Sequence, residues 1–100
     1  MKEPRPSILC LIGPIRFADT FAWLYEQESL KGKIVLYPIL TPNTRLSPDQ
    51  LVVCERLHLQ KILISDEILV VNVGGYQGEG TKNEVAYALS HGKQVRYLEL

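Results

Sequence analysis

The sequence predicts an α/β domain built on a parallel sheet, and three observations carry that reading. Four short apolar runs alternate with three helical patterns in the order βαβαβαβ. The first three runs are almost continuously apolar, as expected of strands covered on both faces. One hundred residues, 46% hydrophobic and 22% charged, suffice for one core and leave no room for a second, so residues 1–100 are expected as a single domain.

Ile8 to Ile12 reads as the first strand, and Pro14 ends its apolar run. The first helix is expected from about Phe17 to Lys31, with Phe17, Phe21, Leu24 and Tyr25 as its apolar stripe and Gly32 as its left-handed cap. Ile34 to Tyr37 forms the second strand. The second helix has a strong start: Ser47 caps it, Pro48 stands at N1, Gln50 completes an S-x-x-Q box, and Leu46 with Leu51 supplies a hydrophobic staple. It continues to about Ile62, and Ser65-Asp66-Glu67 turns the chain into a third strand, Ile68 to Val73. A third helix is expected from Thr81 to His91, with Gly92 just beyond it. The last strand, Val95 to Leu100, mixes in Arg96 and Glu99 as an edge strand would.

Right-handed crossovers then give the strand order 2-1-3-4 with helices on both faces, a short three-layer flavodoxin-like arrangement. Ligands in such sheets bind at the carboxyl ends of strands one and three.

Eleven basic and eleven acidic residues cancel, which argues against polymeric nucleic acid or a membrane surface as partner and favours a small molecule. The N-terminal apolar run, Ile8 to Gly13, is too short for a secretory segment or a membrane span. Cys10 and Cys54 show no CxxC, metal-ligand or disulfide pattern, so reduced cysteines in a cytoplasmic protein with no metal and no cofactor are expected.

Topology sorts the candidates. Gly13-Pro14-Ile15-Arg16, Tyr37 to Arg45, and Asn72 to Glu84 fall on the ligand edge, whereas Lys61, Asp66 and His91 fall on the far edge. His58, in the second half of the second helix, reads as a packing residue remote from the crevice. Arg16 follows the switch-point glycine and either holds a phosphate or sugar oxygen or is an exposed arginine at a helix start. Gly74, Gly75, Gly78 and Gly80 make a loop suited to close backbone approach or simply to a flexible turn. The loop matches neither the Walker A nor the G-x-G-x-x-G pattern. Asn72 offers a donor and an acceptor to a sugar or base, or else satisfies the adjacent loop.

Glu84 has two readings. Thr81-Lys82-Asn83-Glu84 is a T-x-x-E capping box in the first turn of the third helix. A carboxylate beside a glycine loop at a strand's carboxyl edge could instead attack a sugar carbon.

The segment GTKNEVAYALSHGK, Gly80 to Lys93, resembles the G-x-x-x-E-x-G/A-Y-A-x-x-x-G-K segment of the nucleoside 2-deoxyribosyltransferase family. Gly13-Pro14-Ile15-Arg16 is similar to the G-S-I-R element of the related deoxynucleoside 5′-monophosphate N-glycosidases. The glycine loop through Glu84 loosely resembles the P-G-G-x-G-T-x-x-E motif of cytokinin-activating phosphoribohydrolases. The resemblance implies cleavage or exchange of the N-glycosidic bond of a nucleoside or nucleotide, with Glu84 as nucleophile and a covalent glycosyl-enzyme. It implies a substrate site made of Gly13, Pro14, Ile15, Arg16, Asn72, Gly74, Gly75, Tyr76, Gly80 and Thr81. Family transferases carry an aspartate six residues before the nucleophile, where this chain has Gly78, so Glu79 is the expected stand-in unless it is a solvated loop charge. The family's site is often completed by a polar residue from a neighbouring subunit's C-terminal region. Here the sequence reaches Leu100 directly after the fourth strand, so a homo-oligomer using another loop is expected. The competing reading is a non-catalytic nucleotide-binding or regulatory module of the same fold.

Overall fold

The structure, a computed structural model, describes residues 4–100. Strands β1 (Ile8–Ile12), β2 (Ile34–Leu36), β3 (Glu67–Val70) and β4 (Gln94–Tyr97) form a parallel sheet of order β2-β1-β3-β4. Helices α1 (Ala18–Leu30), α2 (Pro48–Ile64) and α3 (Glu79–Ser90) connect them. The α/β class, the strand order and the three helices are those the alternating pattern predicts. Registers of Ile8 on Ile34, Leu9 on Glu67 and Glu67 on Gln94 align the carboxyl ends of the strands along one edge.

Strand alternation divides the core into two layers. Leu9, Leu11, Val35, Leu69 and Val71 face α1, where Phe21 and Leu24 cover them. Cys10, Ile12, Ile68 and Val70 face the other way, against Ile62 of α2 and Val85 and Ala88 of α3. Helices α2 and α3 therefore share one face of the sheet, and this pairing positions the site. Burial pushes the Cys10 thiol up to about 12, so it is a packing group.

Helix α2 begins as its residue types predict. Gln50 N–H donates to Ser47 Oγ, and Ser47 N–H donates to Gln50 Oε1. Helix α3 departs from expectation. It starts at Glu79, two residues before Thr81, with Gly78 at its N-cap in a left-handed conformation (φ 80°) and no side chain capping it. Thr81 is buried on the same stripe as Val85 and Ala88, and that inward packing extends the helix through it. The predicted Thr81–Glu84 capping box does not form, and Glu84 lies in the second turn, about 7.5 Å along the axis from Glu79.

The amino edge of the sheet carries a dense ionic cluster. Glu28, on the same helical stripe as Phe21 and Leu24, is buried and receives Lys31 Nζ at 2.7 Å, Arg96 at 3.0 Å and Lys33 at 3.3 Å. The Lys31 hydrogen bond, with those of Lys33 and Arg96, outweighs burial and holds the Glu28 carboxyl down to about 2. Glu67 extends the cluster by accepting from Ser7 Oγ at 3.0 Å and Lys33 Nζ at 2.9 Å. Asp66 caps the edge, taking two bonds from Arg5 and one from the Ile8 amide. Among the described residues, no helix is long and apolar enough to cross a membrane.

Candidate functional site

The carboxyl ends of β1 and β3 open into a cavity of about 360 Å³, within the size range of small-ligand pockets. Gly13, Pro14 and Ile15 form one wall; Tyr76, Gln77 and Gly78 of the glycine loop form a second. The third comprises Gly80, Thr81 and Glu84 of α3, and Asn43 with Glu55 of α2 completes the rim. A larger groove, about 690 Å³, runs beneath the segment 37–45. Its lining includes no carboxyl group, and the amine of its Lys61 is engaged by the Tyr37 carbonyl at 2.8 Å. Of the two, the smaller cavity is the one that carries carboxyl groups, Glu55 and Glu84.

Gly13 fits its place because only hydrogen can be accommodated there. A Cβ on it would stand 2.7 Å from the Val71 carbonyl oxygen and 3.1 Å from Val71 Cβ. The chain of β1 thus passes close against β3 just where the cavity opens.

Glu84 is partly exposed on the cavity wall, its side chain 27% accessible. Its Oε1 lies 3.2 Å from His58 Nε2, and the imidazole is almost fully enclosed. His58 is therefore not remote from the crevice. Glu84, in the second turn of α3, meets α2 near the start of its fourth turn, where His58 stands. His58 Nδ1 is, among the described residues, the buried side-chain polar atom with no hydrogen-bond partner. An N–H left buried without an acceptor costs about 1–3 kcal/mol, so a bare nitrogen lone pair is the less costly occupant of that position.

The remaining expected site residues separate into two groups. Gly13, Pro14, Ile15, Tyr76, Gly80 and Thr81 meet at the cavity with Glu84. Arg16 stands outside it, exposed, with its guanidinium carbon 4.0 Å from the Tyr76 ring centroid and 5.1 Å from that of Phe17. Such stacking fixes the arginine at the rim while leaving its donors free in their planar fork. Glu79 and Gly75 line a separate depression of about 390 Å³ with Lys82, which Glu84 does not reach. Asn72 is buried and its carboxamide is committed: Nδ2–H donates to the Glu99 carbonyl at 2.8 Å, and Oδ1 accepts from the Glu99 amide at 2.9 Å. The Gly74 amide donates to the Glu99 carboxylate at 2.8 Å.

Sequence reasoning missed Glu55 and His58. The signal for His58 is helical spacing, since it precedes fully buried Ile62 by one turn on α2, whereas Glu55, one turn before it, is exposed at the rim and leaves no such signal. A polar residue on the stripe that faces the sheet calls for a partner inside the fold. Among the described residues, no group of three or more His, Cys, Asp or Glu is placed to hold a metal ion.

No protein-family model and no curated protein matches the chain. Solved structures do match in fold. The chain is similar to the 2-desoxiribosyltransferase from Leishmania mexicana at a TM-score of 0.63 and 24% identity, over 92% of this chain and 63% of that one. It is similar to a conserved protein from Enterococcus faecalis V583 at a TM-score of 0.62 and 14% identity, over 93% of this chain and 63% of that one. The chain thus spans a little under two thirds of the length of these structures, and the fold it shares with them is the α/β arrangement described above.

Proposed function

We propose that this chain cleaves or exchanges the N-glycosidic bond of a nucleoside or nucleotide, with Glu84 as the nucleophile. The observation that carries the reading is the Glu84 carboxylate, released from helix capping and set on the wall of a cavity facing Gly13-Pro14-Ile15. The fold shared with a 2-desoxiribosyltransferase and the resemblance around Glu84 support the same bond type.

In this mechanism a Glu84 oxygen attacks the anomeric carbon as the bond to the base nitrogen breaks, and the departing base gains a proton. Glu55, the other carboxyl group lining the cavity, is the candidate donor. A second base or water then opens the glycosyl ester, giving exchange or hydrolysis. Arg16, stacked on Tyr76 at the rim, suits a 5′-phosphate or sugar oxygen. We place the chain in the cytoplasm as a homo-oligomer. Trp23, Leu30, Val53, Leu57 and Ile64 are exposed apolar groups available for self-association, which sedimentation analysis would detect.

The test is Glu84→Gln, assayed for base release and exchange across deoxynucleosides and their 5′-monophosphates, with intact-mass analysis of the wild type after incubation. A sugar adduct on the wild type and its loss in the variant are expected; unchanged turnover in the variant would refute the mechanism. A second reading, a nucleotide-binding module without turnover, is favoured by Glu79 lying outside the lining of the cavity and by Gly78 at the position of the expected aspartate. Thermal stabilisation by nucleotides with no adduct and no base release would select it.

A further inference from the structure

We propose that His58 is the positioning residue of the Glu84 carboxylate, carrying its proton on Nε2 and fixing Oε1 so that the second oxygen is presented to the sugar. The inference rests on the reading of Glu84 as nucleophile and adds the group that aims it.

Three observations converge. His58 Nε2 lies 3.2 Å from Glu84 Oε1, so a short movement of either side chain forms the hydrogen bond. Contacts of this kind are often loose without substrate and tighten in the reacting complex. His58 Nδ1 is buried with no partner, which disfavours a proton there and puts it on Nε2, the nitrogen facing Glu84. Finally, the imidazole is confined, its side chain only 8% accessible, whereas the Glu84 side chain is 27% accessible. The enclosed member of the pair sets the direction of the more open one.

The chemistry gives this contact a specific use. A carboxylate nucleophile needs one oxygen aligned with the anomeric carbon, and free rotation about its last torsion would spread both oxygens over many orientations. A donor on Oε1 removes that freedom. Once the other oxygen has bonded to the sugar, Oε1 becomes the carbonyl oxygen of the ester. The same N–H then stabilises the negative charge that develops on Oε1 when water or a second base attacks.

A structural role for His58 makes a different prediction from a positioning role. Leucine in this place removes an unpartnered buried polar atom and adds apolar contact in the layer that holds Ile62 and Val85, so His58→Leu should fold and melt no lower than the wild type. Glutamine places an amide N–H near the position of Nε2 and should retain function. The experiment measures kcat and KM for base release from deoxynucleosides and their monophosphates in wild type, His58→Leu, His58→Gln and Glu84→Gln, with melting temperatures. His58→Leu should lower kcat about 10- to 100-fold at little changed KM and undiminished melting temperature, with His58→Gln recovering most of the loss. Unchanged kcat in His58→Leu, or parallel loss of kcat and stability in both His58 variants, would overturn the proposal.

A second measurement does not depend on turnover. Long-range ¹H–¹⁵N correlation of the histidine rings, assigned with His91→Gln, should place the proton of the neutral His58 ring on Nε2, with the Nε2 signal moved by Glu84→Gln. A proton on Nδ1, or no response to Glu84→Gln, overturns the proposal even where no substrate is turned over. Absence of base release by the wild type beside the expected ring pattern would instead count against the glycosidic reading alone.

Discussion

Two glutamates on helices that cover opposite faces of the sheet make an instructive pair. Glu28 at the amino edge of the sheet is enclosed, 5% accessible, and surrounded by Lys31, Lys33 and Arg96. Glu84 at the carboxyl edge is 27% accessible and has one titratable neighbour within ion-pair distance, His58. The first has its charge fully countered and can do nothing further. The second retains unfilled bonding capacity beside a cavity. The difference separates a carboxylate that holds the fold from one available to a ligand, and neither role is visible from residue type alone.

Substitutions at the two positions should therefore fail differently. The largest effect belongs to Glu84→Gln, expected to reduce base release by about 10³-fold or more while the melting temperature stays near that of the wild type, read by steady-state kinetics and calorimetry. A large drop in melting temperature would erase the contrast. Glu28→Gln should show the reverse, losing about 2–3 kcal/mol of stability in urea titration because three cations lose their shared partner, with kcat nearly unchanged.

Gly13→Ala probes the boundary between the two roles. The added Cβ collides with the Val71 carbonyl, so about 1–2 kcal/mol of stability should be lost, with a rise in KM as the cavity wall shifts. Acid titration sharpens the amino edge further. The Glu28 and Asp66 carboxyls are both lowered to about 2 from ordinary values of 4.5 and 3.8. Their contribution is present above those ordinary values and is lost as pH falls through the folded ones. Stability should decline between about pH 5 and pH 2, and Glu28→Gln should flatten that decline. The smallest effect is chemical: a maleimide should label Cys54 on the native protein and leave Cys10 unmodified, because Cys10 is fully buried and its thiolate strongly disfavoured.

The sheet order and helix count were legible because apolar runs and Gly and Pro punctuation act locally, and the Ser47–Gln50 cap formed as its residues specify. The start of α3 was not legible. Burial of Thr81 in the core-facing stripe overrode a good capping sequence, and the contact of Glu84 with His58 depends on how α2 and α3 pack side by side on the sheet. Glu28 was hidden for a related reason, since its partners Lys33 and Arg96 come from distant parts of the chain. Asn72 was recognised as a polar strand end, but its double bond to the Glu99 backbone depends on how the chain returns after β4.

That double bond has a mechanical consequence. Asn72 reproduces with its side chain the donor and acceptor of a strand neighbour, and the Glu99 carboxylate ties down Gly74. The glycine loop, for all its conformational freedom, is thereby moored to the end of the sheet. The opposite shore of the cavity is slack by comparison: Thr41 to Arg45 are exposed throughout, and Asn43 at their centre is the residue that reaches the cavity. Entry of a ligand should be accommodated on that side, leaving the Gly74 amide slow to exchange with solvent while those of Thr41, Asn43 and Thr44 exchange freely.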